Sequence, residues 1–219
     1  MTRLAVSEAL PTPADLQNDA DALGVPLSLL AAERLLKFGH SLLRWNQAFN
    51  LVSRQDVHRL YSRHLLDSLS AVARLSGERV LDVGTGPGLP GIPLAIAAAN
   101  VQFMLVDRNE RRIRFVRQVA ADLGLGNVEA VSGDVRKVAA GRQFDTITLR
   151  AVAPLETAWT LCEPFLGPKG RLVLMASGQT PADRVSDVSL PRGCREIERC
   201  LVLIPGLPLE HEIRVVGRA

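Results

Sequence analysis

Between positions 26 and 49 the apolar residues Leu27, Leu30, Ala31, Leu35, Phe38, Leu42, Trp45 and Phe49 recur at steps of three and four. That period puts them on one face of an α-helix, and Pro26 after Gly24 suits its first turn, so a helix over 26–49 is expected. A second helical stretch spans about 54–75, with Leu65, Leu69 and Val72 turned inward. From position 79 the pattern changes. Short apolar runs predict strands at 79–83, 101–106, 128–131, 144–149, 170–175, 196–204 and 212–217, and helices are expected at 90–99, 109–124, 154–165 and 181–187. This alternation, ending in two consecutive strands, predicts an α/β fold whose mostly parallel seven-stranded sheet has one antiparallel strand near an edge. The chain then divides into an N-terminal helical extension, residues 1–76, and an α/β domain, residues 77–219. Glu8, Asp15, Asp19 and Asp21 give the first 21 residues the look of a mobile, solvated acidic start. Roughly the first 13 of these are expected to be mobile.

Composition bounds the function. With 219 residues, 47% of them hydrophobic, the chain has material for one full core and an appendage. Residues 1–13 hold one arginine and no sustained apolar run, and no stretch reaches the length of a membrane span, so no membrane association and a cytoplasmic location are expected. Cys162, Cys194 and Cys200 are odd in number and lack metal-ligand spacing, so neither disulfides nor a metal site is expected. A monomer is the expectation. Net charge is +3, and the basic residues are 23 Arg against three Lys. Arginine enrichment follows coding bias as readily as function, so position says more than total. Residues 22–76 carry Arg34, Lys37, Arg44, Arg54, Arg59, Arg63 and Arg74 against Glu33, Asp56 and Asp67, a net +4 that suits either phosphate or a solvated helix face.

The strongest chemical signal is Arg79-Val-Leu-Asp82-Val-Gly84-Thr-Gly86-Pro-Gly88-Leu-Pro-Gly91, an apolar strand running into alternating glycines and then a helix. Glycine serves where the backbone turns at positive φ and where main chain must approach a ligand with no Cβ between them. Such a loop holds a nucleoside-bearing cofactor at the carboxyl edge of a parallel sheet. Gly86 to Gly91 formally fits the G-x-G-x-x-G of dinucleotide sites. The frame Asp82-Val-Gly84-Thr-Gly86-Pro-Gly88 instead resembles the first motif of S-adenosylmethionine (AdoMet) methyltransferases. A carboxylate at the strand end suits a cationic sulfonium ligand and is badly placed beside pyrophosphate, while Pro87 and Pro90 remove amides that a phosphate cradle would use.

Asp107 ends the second strand, 21 residues after Gly86, where an acid accepts hydrogen bonds from both ribose hydroxyls. Its competing reading is the N-cap of the helix that follows. That helix turns Arg108, Arg111, Arg112, Arg114 and Arg117 outward and Ile113, Val116 and Val119 inward. After the third strand, the turn Ser132-Gly-Asp134-Val135-Arg136 stands where adenine is bracketed, with Asp134 the acceptor for the exocyclic amine. Arg150 ends the fourth strand and needs an anion, either the AdoMet carboxylate or a substrate phosphate. Neither the Asp/Asn-Pro-Pro-aromatic signature of exocyclic-amine methylation nor a Pro-Cys nucleophile occurs at this edge, and Cys162 falls inside the next helix.

Over most of its length the chain resembles the bacterial small-subunit ribosomal RNA guanine-N7 methyltransferases, also known as glucose-inhibited division protein B. The resemblance is carried by Trp45-Asn-Gln-Ala-Phe-Asn50-Leu-Val-Ser53, Arg63-His64-Leu-Leu-Asp67-Ser68, the loop from Asp82 to Gly91, Arg114-Phe-Val-Arg-Gln-Val119 and Arg150-Ala. It implies the class I AdoMet-dependent methyltransferase fold, which is Rossmann-like, AdoMet as cofactor, and small-subunit (16S) ribosomal RNA or the assembled 30S subunit as substrate. It further implies cofactor contacts at Gly84, Leu89, Val135, Arg136 and Arg150. Three positions depart from the family pattern: Arg136 replaces a common acid, Ser177-Gly178 replaces a Lys-Gly pair, and His211 stands near a common arginine.

The implied chemistry needs no general base, because guanine N7 already holds a free lone pair. Rate then comes from holding N7 in line with the sulfonium methyl and from the electrostatics of a site that produces a cationic base. N7 lies in the deep, narrow groove of A-form RNA, so the target must be unpaired or extruded. Arg63, His64 and Asp67 are candidates to line its pocket, although Arg63 and Asp67 also have the i,i+4 spacing of an intrahelical ion pair. Two alternatives stay open at this point: a nicotinamide oxidoreductase using the same glycines, and an RNA-binding module that keeps the fold without catalysis.

Overall fold

Period-two burial along the central strands decides the layers of this α/β fold. A computed structural model describes residues 11–53, 57–150, 154–176, 189–208 and 210–219. The strands are β1 (Arg79–Val83), β2 (Gln102–Asp107), β3 (Val128–Ser132), β4 (Phe144–Arg150), β5 (Leu166–Met175), β6 (Cys194–Leu203) and β7 (Glu210–Arg218), in the sheet order β3-β2-β1-β4-β5-β7-β6. Strands β1 to β5 pair in parallel, and β7 runs antiparallel to both of its neighbours, β5 and β6. On β2, Phe103 and Leu105 enter one core while Met104 and Val106 enter the other, so each face of the sheet needs its own helical cover. This is the architecture expected from the sequence, with β7 as the single antiparallel strand.

Helices α1 (Pro13–Ala22), α2 (Leu29–Phe49), α4 (Gly91–Ala97) and α5 (Glu110–Asp122) contribute to the first core, and α6 (Val135–Val138) and α7 (Leu155–Cys162) to the second. α5 buries Ile113, Val116 and Val119 as expected, and Phe115 besides. α2 begins later than expected, at Leu29, because Ser28 accepts the Ala31 amide as its N-cap and leaves Pro26 outside. The helix expected at 181–187 lies outside the described residues.

Two segments differ in kind. The acidic start is helical from Pro13. Thr12 and Asp15 form a reciprocal capping box, the Asp15 amide donating to Thr12 Oγ1 (3.2 Å) and the Thr12 amide to Asp15 Oδ2 (3.0 Å). Leu16 and Ala20 are fully buried, and the Tyr61 hydroxyl donates to Asp19 at 2.7 Å. The expectation of one helix over 54–75 also fails. A 3₁₀ turn (Val57–Arg59) leads into a π-helix (Leu60–Leu66), then the short helix α3 (Asp67–Leu69) and a second 3₁₀ turn (Val72–Arg74). Leu65 and Leu69 are buried as expected. π-Helical turns are rare and concentrate at functional sites.

Because Leu16 is fully buried in the shared core, Leu16→Ala is expected to lower unfolding free energy by about 2–5 kcal/mol in urea titrations. A mobile N-terminus would register no change.

Candidate active site

The parallel strands bring Val83, Asp107, Ser132 and Arg150 to one carboxyl edge. The loop after β1 turns with Gly84, Gly86 and Gly88 at φ of +70°, +57° and +89°. The amides of Gly84 and Thr85 donate to the Val106 carbonyl at 2.8 and 3.0 Å, pinning the loop over β2. Its glycines then serve two different ends. A Cβ at Gly88 would lie 2.6 Å from Ile92, and one at Gly91 2.7 Å from both Asp82 and Leu105, so these two let α4 press onto the sheet. A Cβ at Gly86 would find nothing closer than 4.0 Å. Its backbone faces open space, as a cradle for a ligand requires.

Asp82 faces the protein rather than that space. The acid read from sequence as a partner for a cationic ligand is 1% exposed. Its Oδ2 accepts the Gly91 amide at the start of α4 (3.0 Å), and its Oδ1 accepts the Thr148 hydroxyl from β4 (2.9 Å). Burial pushes its pKa up to about 6, against the opposing pull of the Thr85 and Thr148 hydroxyls, the Gly91 amide and the Arg150 charge.

Asp107 behaves otherwise. Its Oδ2 accepts the Gly86 amide at 2.8 Å, and its Oδ1 accepts the Asn109 amide at 2.8 Å. The N-cap of α5 is Asn109, whose side chain takes the Arg111 and Arg112 amides, so capping that helix is not the task of Asp107. Arg112 Nη1 stands 3.7 Å from Asp107 Oδ2. Asp134 caps α6 by accepting the Arg136 amide (3.0 Å), and its other oxygen takes Arg108 (2.6 Å). The Arg136 amide, then the Arg108 and Arg136 charges, hold its carboxyl below the usual range. Its reading as an adenine acceptor thus meets a helix cap. Val135 and Leu89 are buried, and the Arg136 side chain is exposed, leaving backbone as what position 136 offers the cleft.

Arg150 finds its anion inside the protein. Nη1 lies 3.5 Å from Asp67 Oδ2, and Nη2 is 2.8 Å from His64 Nδ1. A guanidinium has no acceptor, so His64 Nδ1 carries the lone pair and the ring proton sits on Nε2. Asp67 Oδ1 accepts His211 Nδ1 at 2.8 Å. His64, Asp67 and His211 are 4%, 4% and 3% exposed. Asp67 thus meets Arg150 at the end of β4 and His211 on β7. His64 and Asp67 both hold the Arg150 guanidinium. Arg63 is half-buried beside them. His211, which stands near a common arginine of the family, is internal.

The basic segment is less uniform than its count. Arg44 and Arg59 are exposed, Arg74 pairs with Glu198 at 3.0 Å, and Arg54 lies outside the described residues, as do Ala151, Ser177 and Gly178. Among the described residues no group of three or more His, Cys, Asp or Glu is placed to hold a metal, and no helix is long and apolar enough to cross a membrane. Sequence reading missed Thr148 and the His211 contact. Both depend on register between distant strands, for which a single chain gives no signal.

Gly91→Ala is expected to destabilise the fold, whereas Gly86→Ala is expected to cost only the positive-φ strain of about 1 kcal/mol. Thermal unfolding of both variants checks this division. Asp82 gives a pH signature. Its folded pKa is raised, so the folded state binds the proton more tightly, and its contribution is complete below pH 3.8 and lost as pH rises through about 6. Relative to wild type, Asp82→Asn is therefore expected to gain about 3 kcal/mol of stability as pH rises across that window. A constant difference between the two proteins across the same titration would contradict the buried charge.

Comparison with known proteins agrees with this architecture. The family rRNA small subunit methyltransferase G (GidB) matches residues 31–189. The ribosomal RNA small subunit methyltransferase G of Ralstonia nicotianae is 38% identical over 217 residues, covering 94% of this chain and 95% of that protein. The protein of the same name from Methylococcus capsulatus is 42% identical over 182 residues, covering 83% and 86%. Among solved structures, a mutant of MtNAS in complex with S-adenosylmethionine superposes with a TM-score of 0.57 at 22% identity, covering 94% of this chain and 77% of that one. Precorrin-6y C5,15-methyltransferase from Geobacter metallireducens gives 0.54 at 16% identity, covering 78% and 92%. The structural likenesses extend to the fold, and the sequence matches go further: this chain belongs to the rRNA small subunit methyltransferase G family.

Proposed function

We infer that the protein transfers a methyl group from S-adenosylmethionine to N7 of a guanosine in small-subunit ribosomal RNA. The observation that carries the reading is the bare Gly86 backbone joined to the Asp107 carboxylate, in a chain of this family. The cofactor supplies an electrophilic methyl on a sulfonium. Gly84 and Gly86 give it backbone without side chains, beside Leu89. Asp107 accepts its ribose hydroxyls with lone pairs not used by the Gly86 and Asn109 amides. Asp134, Val135 and the Arg136 backbone flank the adenine.

The chain's part in the chemistry is positioning. N7 has no proton to lose, so no side chain acts as a base. Transfer moves positive charge from sulfur to the guanine, and a bare cation at the rim would oppose it. Arg150 sits at that rim with its charge balanced by Asp67, which lets it orient cofactor or substrate without repelling the cationic product. A ribosomal substrate supports work in the cytoplasm, and the protein is taken to act there as a monomer.

The test uses purified protein, radiolabelled cofactor, and both naked ribosomal RNA and small subunits from cells lacking the protein. Label is expected at a guanosine whose N7 methylation makes the chain cleave after borohydride and aniline. Cofactor binding with no transfer to either substrate would leave the non-catalytic RNA-binding reading. Asp107→Ala is expected to weaken cofactor binding by tenfold or more in calorimetry, from charge-assisted bonds of roughly 1.5–3 kcal/mol each. Asn109 keeps the helix cap, so thermal stability should change far less than affinity.

A further inference from the structure

We propose that the exposed ring of Phe49, backed by Arg111, is a stacking platform for an unpaired nucleotide neighbouring the target guanosine. The proposal rests on the methyltransferase reading above. Residues 45–51 carry it, because the other groups that structure this segment face inward. Trp45 packs on Phe115 with ring centroids 5.3 Å apart. The Asn46 side chain accepts the Val52 amide at 2.8 Å, Asn50 ends α2 in the left-handed conformation at φ 47°, and Leu51 is buried. Phe49 instead leaves 40% of its surface to solvent, while Phe38 on the same helix is fully buried.

Its place in the fold says what that surface meets. α2 runs antiparallel to α5: Arg34 reaches the Gly124 end, Phe38 and Trp45 flank Phe115, and Phe49 meets Arg111 in the first turn. That turn opens at the carboxyl tip of β2, just after Asp107, and Arg112 beside it reaches back to the Asp107 carboxylate. The ring therefore lies at the rim of the cofactor cleft. The Arg111 guanidinium stands 5.7 Å from its centroid, and the Trp45 ring packs on it at 5.3 Å with a tilt of 39°, so two neighbours hold the ring in place. Exposed Arg114, one turn after Arg111 on α5, adds positive charge. A flat aromatic face with arginines around it suits a base and its phosphates. A guanosine presented at N7 must be unpaired or extruded, which also unstacks its neighbour.

Three variants and one crosslink test this. Phe49→Ala and Phe49→Leu are each expected to raise KM for small subunits on the order of tenfold, the scale of one base–aromatic stack, with cofactor affinity and thermal stability unchanged. Phe49→Trp should restore wild-type KM. Leucine keeps apolar bulk but lacks a π-face, so a Phe49→Leu protein equal to wild type would overturn the platform. A benzoylphenylalanine placed at position 49 is expected to crosslink to the ribosomal RNA of the subunit. Crosslinking to a ribosomal protein, or to nothing, would also overturn it. The crosslink needs no methyl transfer: a wild-type protein that transfers nothing, while position 49 still crosslinks to RNA, would refute the methyltransferase reading and leave the RNA surface standing.

Discussion

The buried carboxylate of Asp82 is the constraint from which the cofactor side of this protein follows. It sits at the carboxyl end of β1 and accepts one bond from the first amide of α4 and another from Thr148 on β4. A charge without water is costly, and its raised pKa shows that these partners offset the cost only in part. Their geometry nonetheless fixes where α4 begins, and hence the path of the glycine loop between strand and helix. Gly91 carries no side chain because one would occupy the space of this carboxylate. With both ends fixed, the loop's middle is free to stand clear of the sheet, and Gly86 is joined to β2 by Asp107. The loop is thus set by a polar contact beneath it and left bare above.

A second polar assembly ties the N-terminal helical segment to that same edge. Asp67 follows the π-helix, Arg150 ends β4 and His211 lies on β7, yet the three meet around one carboxylate. Elements far apart in sequence are placed by a buried network of charges, and such networks hold their geometry tightly because a broken member is expensive. The π-helical turn explains how Asp67 reaches it. Its last residue, Leu66, directly precedes Asp67.

These two assemblies also mark how far the sequence could be read. Alternating burial on β2 and the three- and four-residue steps of α2 are local patterns, and each element appears close to its expected place. The positive-φ glycines were equally legible, because only one residue type tolerates that backbone. The direction in which Asp82 points was not, since it depends on the register that sets Thr148 opposite Asp82. The anion of Arg150 depends in the same way on Asp67, a residue on a distant element of the chain. The helix at Pro13 is a different failure. Thr12 and Asp15 have the spacing of a capping box, but the surrounding acids read as a solvated tail.

The same core explains why the N-terminal helices bear on function rather than only on stability. α1 and α2 bury their apolar faces with α4 and α5, the helices that flank the glycine loop. Trp45 and Phe38 grip Phe115, so the angle of α2 is set by α5, and α5 in turn starts at the cofactor edge. An appendage joined by a flexible linker could not place a residue beside that edge with any accuracy. One packed against α5 along its length must do so, and the end of α2 therefore belongs to the rim of the cleft as much as the loop after β1 does.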